Sequence, residues 1–167
     1  MTIGSPVKRI LITGMSGTGK STIVAELAAR GHHAIDLDSD AWSEWVRVDG
    51  NPTGANPGHD WLWNEAKLAR LLAEDIFETL FVSGCASNMG KFIGCFDEVV
   101  LLSAPIGIML DRVRLRTDNP YGKQDVEIAQ IKENLRRFEP RLRRIASHEI
   151  DSSLPIRDVL ETILKLQ

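Results

Sequence analysis

The sequence predicts an α/β fold: a single domain in which a five-stranded parallel sheet lies between two layers of helices. Three observations point to it. Short apolar runs alternate with longer helical patterns along the chain, the rhythm of β-α-β units. The pattern G-x-x-x-x-G-K-[ST] (Gly14, Gly19, Lys20, Ser21) joins the first apolar run to the first helical pattern. The 167 residues, 43% hydrophobic and 26% charged, suit one globular domain with a real core.

The elements follow in order after a short polar leader. Val7–Thr13 is dense in Ile, Leu and Val and reads as the first strand. A helix starts at Gly19 or Lys20, spaces Ile23, Leu27 and Ala28 for burial, and stops at Gly31. His33–Leu37 is the second strand, ending in the acidic string "DLDSD". Ala41–Val48 is expected as a helix, and Asp49–Asp60, with three Gly and two Pro, as a loop. Trp63–Ile76 is an amphipathic helix, Thr79–Gly84 the third strand and Glu98–Ala104 the fourth. Pro105 opens the next helix, and Thr117–Lys123 is a turn-rich loop. A long polar helix, Val126–Ser147, is expected to kink or split at Pro140. His148–Ser152 is a short fifth strand, and Pro155–Leu166 closes the chain as a helix.

Composition narrows the function. A net charge of −3 argues against a nucleic-acid partner. Two cysteines, Cys85 and Cys95, make no disulfide framework and, with no signal peptide, point to the cytoplasm. The most apolar stretch, Val99–Leu110, is too short for a membrane span and is broken by Ser103 and Pro105. Oligomeric state is not legible.

The glycine-rich loop carries the first chemistry. Gly14, Met15, Ser16, Gly17, Thr18, Gly19, Lys20, Ser21 and Thr22 form a turn whose backbone N–H groups converge on phosphate oxygens. The helix N-terminus adds its dipole, Lys20 reaches the terminal phosphates, and the Ser21 hydroxyl can ligate Mg²⁺. No guanine-reading N-K-x-D occurs, and the third strand ends without a carboxylate. The acids lie after the second strand instead: Asp36, Asp38 and Asp40, at the sheet edge where ligands bind. One of them can steer Mg²⁺ or take a proton from an acceptor hydroxyl, and another can bind the acceptor. A solvated acidic turn, with Ser39 or Asp40 as a helix cap, is the plainer alternative.

These residues resemble the small-molecule and nucleoside-monophosphate kinase branch of P-loop proteins, most closely shikimate kinase and gluconate kinase. "GMSGTGKST" is similar to their phosphate loop, "DLDSD" to the D-x-D after shikimate kinase's second strand, and "EPRLRRIASHEIDSSLP" to its closing segment. The resemblance implies strand order 2-3-1-4-5, a lid at about residues 116–125 and an acceptor region at about 40–65. It also implies ATP and Mg²⁺, with Asp38 near the metal and Asp40 on the acceptor. Arg112 would stack on adenine with Pro155 near the other face, and Arg116 would reach the transferred phosphate from the lid, with Lys123 as a second lid cation. A solvated arginine face (Arg112, Arg114, Arg116) is the plainer reading of that run.

The departures concern the acceptor. The turn after the third strand reads "SGCASNMGK", which puts Gly84 and Cys85 where the family binds its acceptor. Phe138 and Glu139 replace an expected arginine before Pro140, so shikimate itself is disfavoured. Trp42, Trp45, Trp61 and Trp63 bracket the loop, and aromatic walls suit a sugar face or a nucleobase. Trp61 is read as an acceptor contact, while Trp42 and Trp45 equally suit packing of a helix on the sheet. The expected function is transfer of the γ-phosphate of Mg·ATP to a small-molecule hydroxyl or phosphate, with Lys20, Asp38 and Arg116 as catalytic residues. A nucleoside or nucleotide kinase, and an ATP-binding regulatory module without transfer, are the alternatives.

Overall fold

The computed structural model describes residues 6–167, so most of the leader lies outside it. Strand β1 (Lys8–Thr13) runs into the phosphate loop and helix α1 (Lys20–Ala29). Next come β2 (His33–Asp36), β3 (Ser43–Arg47), β4 (His59–Trp63) and α2 (Glu65–Ala73). Strand β5 (Thr79–Ser83), two short 3₁₀ turns, β6 (Glu98–Ser103) and α3 (Ile106–Leu115) follow. Helix α4 (Asp125–Ile145), β7 (His148–Asp151) and α5 (Ile156–Leu164) complete the described residues.

The main sheet is parallel, in the order β2-β5-β1-β6-β7. Counted within that sheet, this is the expected 2-3-1-4-5. The central strands are buried on both faces, which explains their unbroken apolar runs: Ile10, Leu11, Ile12, Val100, Leu101 and Leu102 are fully buried. Alternation then divides the core. Ile10, Ile12 and Phe81 face α1 and α5 through Ile23, Leu27, Leu160 and Ile163. Leu11, Leu80 and Val82 face α2 and α4 through Leu68, Leu72 and Leu142. That is the three-layer sandwich.

Three expectations are corrected. Residues 43–47 form a strand, not a helix: β3 pairs antiparallel with β4, Trp45 opposite Trp61. The loop between them folds back through Gly50 and Gly58, both at positive φ, with Gly58 N–H donating to Gly50 O at 2.8 Å. Helix α2 begins at Glu65 rather than Trp63, because Asn64 caps it, its Oδ1 accepting from Lys67 N–H at 2.9 Å. Pro140 does not split the long helix, which runs 21 residues. A capping box at Gln124 and Glu127 holds its start, and Ile131 and Leu142 anchor it in apolar packing on either side of most of its length. No described helix is long and apolar enough to cross a membrane.

At the sheet's amino edge, Glu98 gathers β1, β6 and β7. It accepts from Lys8 Nζ at 3.1 Å and Ser147 Oγ at 2.9 Å, and lies 2.9 Å from His148 Nε2. The Ser147 and Lys8 hydrogen bonds hold its carboxyl below the ordinary glutamate value. A lowered folded-state pKa contributes stability above the ordinary value and loses it as pH falls through that range. Glu98→Gln is therefore expected to cost about 1 kcal/mol at neutral pH. The difference should fade in acid, checked by urea unfolding of both proteins across pH.

Candidate active site

The carboxyl ends of β1, β2 and β5 open on a cleft of about 1240 Å³. Its floor is the phosphate loop. Gly17 sits at φ +83°, and a Cβ there would stand 2.5 Å from the carbonyl oxygen of Met109, so the loop can nest on α3 only with glycine at this position. Thr18 is buried and locks the turn, its Oγ1 donating to Met15 O at 2.8 Å. Lys20 Nζ donates to Gly14 O at 2.6 Å and Met15 O at 3.3 Å, which lays its ammonium along the loop. Residues 16–22 line the cleft, and Gly14 and Met15 are not part of its lining.

The acids divide in a way the spacing did not predict. Asp36, the last residue of β2, stands in register with Ser83 of β5, and its Oδ2 accepts from Ser21 Oγ at 2.8 Å. Asp38 was expected beside the metal with Ser21; the carboxylate that meets the Ser21 hydroxyl is that of Asp36. Asp38 turns instead to the end of β5, accepting from Cys85 N–H at 3.1 Å and Trp63 Nε1–H at 3.0 Å. Gly84 makes that approach possible: a Cβ there would lie 2.8 Å from both Asp38 Oδ1 and the Trp63 ring. Burial raises the Asp38 carboxyl above the ordinary aspartate value, partly opposed by the Lys20 ammonium and the Trp63 hydrogen bond. Burial likewise raises the Cys85 thiol, so it is no thiolate nucleophile. Asp40 is exposed and lines the cleft.

A hydroxyl and a carboxylate converging at the loop form a hard oxygen donor set that fits Mg²⁺. Among the described residues no group of three or more His, Cys, Asp or Glu could hold a metal alone.

The hairpin forms the opposite wall. Trp45 and Trp61 line the cleft with ring centroids 5.2 Å apart, and Trp61 Nε1 donates to Asp38 O at 3.2 Å. Trp42 lies outside it, under Lys67 Nζ at 4.3 Å from the ring centre. His59 and Asp60 do not line the cleft, and Asp60 is buried. Of the two readings of Trp45, a wall of the acceptor region or packing of a helix on the sheet, the structure has the wall: Trp45 stands on β3 and lines the cleft. A Gly- and Pro-rich loop between two aromatic runs was the available signal for a hairpin.

Arg112, Arg116 and Lys123 are more tied down than a solvated face would be. Arg112 donates to Ser152 O at 2.5 Å and Gly17 O at 3.4 Å, which pins α3 to the phosphate loop and the end of β7. Pro155 caps α5, and its neighbours Leu154 and Ile156 rather than Pro155 itself line the cleft. Arg116 lines the cleft and donates to Tyr121 O at 2.8 Å, while its buried Nε has no partner. Lys123 is not a free lid cation: its Nζ donates to Val113 O and Arg114 O at 2.6 Å and Arg116 O at 2.7 Å, capping α3. Lys123→Met should remove about 1 kcal/mol of stability, read as a lower thermal midpoint.

The AAA domain family model matches residues 10–135. Among solved structures, the chain is similar to the shikimate kinase of Acinetobacter baumannii in complex with shikimate (22% identity, TM-score 0.65, 96% of this chain and 92% of that one). It is also similar to a gluconokinase from Sinorhizobium meliloti 1021 (18% identity, TM-score 0.58, 95% and 90%). A third likeness is to the deoxyadenosine kinase of M. mycoides with bound dATP (14% identity, TM-score 0.57, 95% and 97%). No curated protein sequence matches significantly. The chain belongs to the AAA domain family and has the fold of the P-loop small-molecule kinases.

Proposed function

We propose that this protein is an ATP-dependent phosphotransferase that moves the γ-phosphate of ATP to a hydroxyl of a small molecule. The observation that carries the reading is the shared cleft: the phosphate loop with Lys20 on one side, and Asp38, fixed by Cys85 N–H and Trp63 Nε1–H, on the other. A protein that only senses ATP has no use for a carboxylate so held opposite the phosphates.

The phosphates lie on the backbone N–H groups of residues 16–21 and the N-terminus of α1. Lys20 leaves the loop carbonyls for the terminal phosphate oxygens, and Arg116 approaches from the start of the lid to balance charge that develops during transfer. Ser21 and Asp36 would hold Mg²⁺, which would supply positive charge to offset that of the phosphates. Asp38 orients the acceptor hydroxyl and takes its proton as the new O–P bond forms and the bond to the β-phosphate oxygen breaks. Its raised proton affinity suits a base that must accept a proton near neutral pH. The lid at about residues 116–125 closes over this space and excludes water.

The test is ADP release from Mg·ATP with sugars, hydroxy acids, nucleosides and nucleoside monophosphates, beside Lys20→Ala. An acceptor that raises turnover, with the signal lost in Lys20→Ala, supports the reading. A rate that no acceptor or metabolite extract changes argues for ATP binding without transfer.

A further inference from the structure

The charges around the cleft are unevenly placed. Its three cationic lining residues are Lys20, Arg112 and Arg116, and all come from the phosphate loop and from α3 with its cap. None comes from the hairpin or from the turn after β5. The nearby lysines of the acceptor side are engaged elsewhere: Lys67 donates to Ala41 O and covers Trp42, and Lys91 pairs with Glu65 at 2.7 Å. What the acceptor side presents is acidic and aromatic: Asp38, Asp40, Trp45 and Trp61. Trp45 is 47% exposed although it is a large apolar side chain, so it keeps a free face toward the cleft.

Resting on the phosphotransferase reading, we infer that the acceptor is a hydroxyl compound with a flat or sugar-ring face and no anionic group, either neutral or cationic. A carboxylate or phosphate ester would meet Asp38 and Asp40, and the one lining cation that acts on Asp38, Lys20, serves the phosphates, a like-charge arrangement that rejects it. A ring carrying hydroxyls stacks on the tryptophans and gives its hydroxyl hydrogens to the acids. An ammonium group gains twice, from the carboxylates and from the indole faces. This separates the protein from enzymes whose acceptor is an acid, such as shikimate or gluconate, although the fold is shared.

The test is calorimetric binding to the full chain, saturated with Mg²⁺ and a non-hydrolysable ATP analogue. The probes are matched compounds that differ in charge: glucosamine, glucose and gluconate, and adenosine with its monophosphate. This readout does not depend on phosphate transfer, which ADP release follows separately, so failure of the kinase reading leaves the binding order measurable. Within each set the uncharged or cationic member is expected to bind at least about tenfold more tightly than the anion, one favourable ion or stacking contact's worth. Trp45→Ala should weaken that binding about tenfold, and Asp40→Lys should reverse the order within the sugar set. Both positions are exposed, so folding should survive, and thermal midpoints near wild type confirm it. The inference is overturned if the anionic members bind as well or better, if no uncharged or cationic member binds, or if Asp40→Lys leaves the order unchanged.

Discussion

Lys20→Ala is expected to reduce acceptor-dependent ADP release by about three orders of magnitude while leaving the protein folded. The ammonium is the one cation carried within the phosphate loop, and its loss leaves the terminal phosphate charge uncompensated in a partly desolvated cleft. In the free protein Lys20 contributes its bonds to Gly14 O and Met15 O, about 1 kcal/mol together after exchange with water, and its attraction to the Asp38 carboxyl. Stability and turnover should therefore separate: a small change in thermal midpoint beside a near-complete loss of rate. A large loss of stability would show that Lys20 holds the loop together rather than serving the phosphates.

Asp38→Asn is the second large effect, and its two readouts should move in opposite directions. If Asp38 takes the acceptor's proton, an amide cannot, and kcat should fall about 10²- to 10⁴-fold. Stability should rise at neutral pH. Burial raises the folded-state pKa of Asp38, so its stabilising contribution is complete below the ordinary aspartate value and is lost as pH climbs through the raised one. Asparagine keeps an oxygen for Cys85 N–H and Trp63 Nε1–H without the buried charge. Thermal midpoints of the two proteins should converge in acid and diverge, with the variant higher, near neutrality. In wild type the acid limb of kcat/KM should fall above the ordinary aspartate range and be absent from the residual activity of Asp38→Asn.

How much of this was legible depended on what each residue touches. The strands of the main sheet were placed within a residue or so because a doubly covered parallel sheet demands unbroken apolar runs, and "ILIT" and "VVLLS" meet that demand directly. The phosphate loop was legible because its glycines answer to backbone geometry that no other residue satisfies, as at Gly17. The hairpin was not. It forms a two-stranded sheet with Trp45 and Val46 exposed, so it lacks the apolar periodicity that marks a buried strand. The division of labour between Asp36 and Asp38 was hidden for another reason. Both lie at the sheet edge, and which one meets Ser21 depends on β2 ending at Asp36, a boundary that composition does not fix. Lys123 and Arg116 find backbone carbonyls as partners, and those carry no residue-specific signal.

The central claim, that Asp38 and the phosphate loop form one transfer site, is tested most directly by following the label from γ-³²P-ATP. Wild type, Lys20→Ala and Asp38→Asn would each be incubated with Mg²⁺ and a metabolite extract, and the products separated by charge. Label is expected on a discrete small-molecule product with wild type and almost none with either variant. Label released only as inorganic phosphate, or a labelled product formed equally by Asp38→Asn, would contradict it.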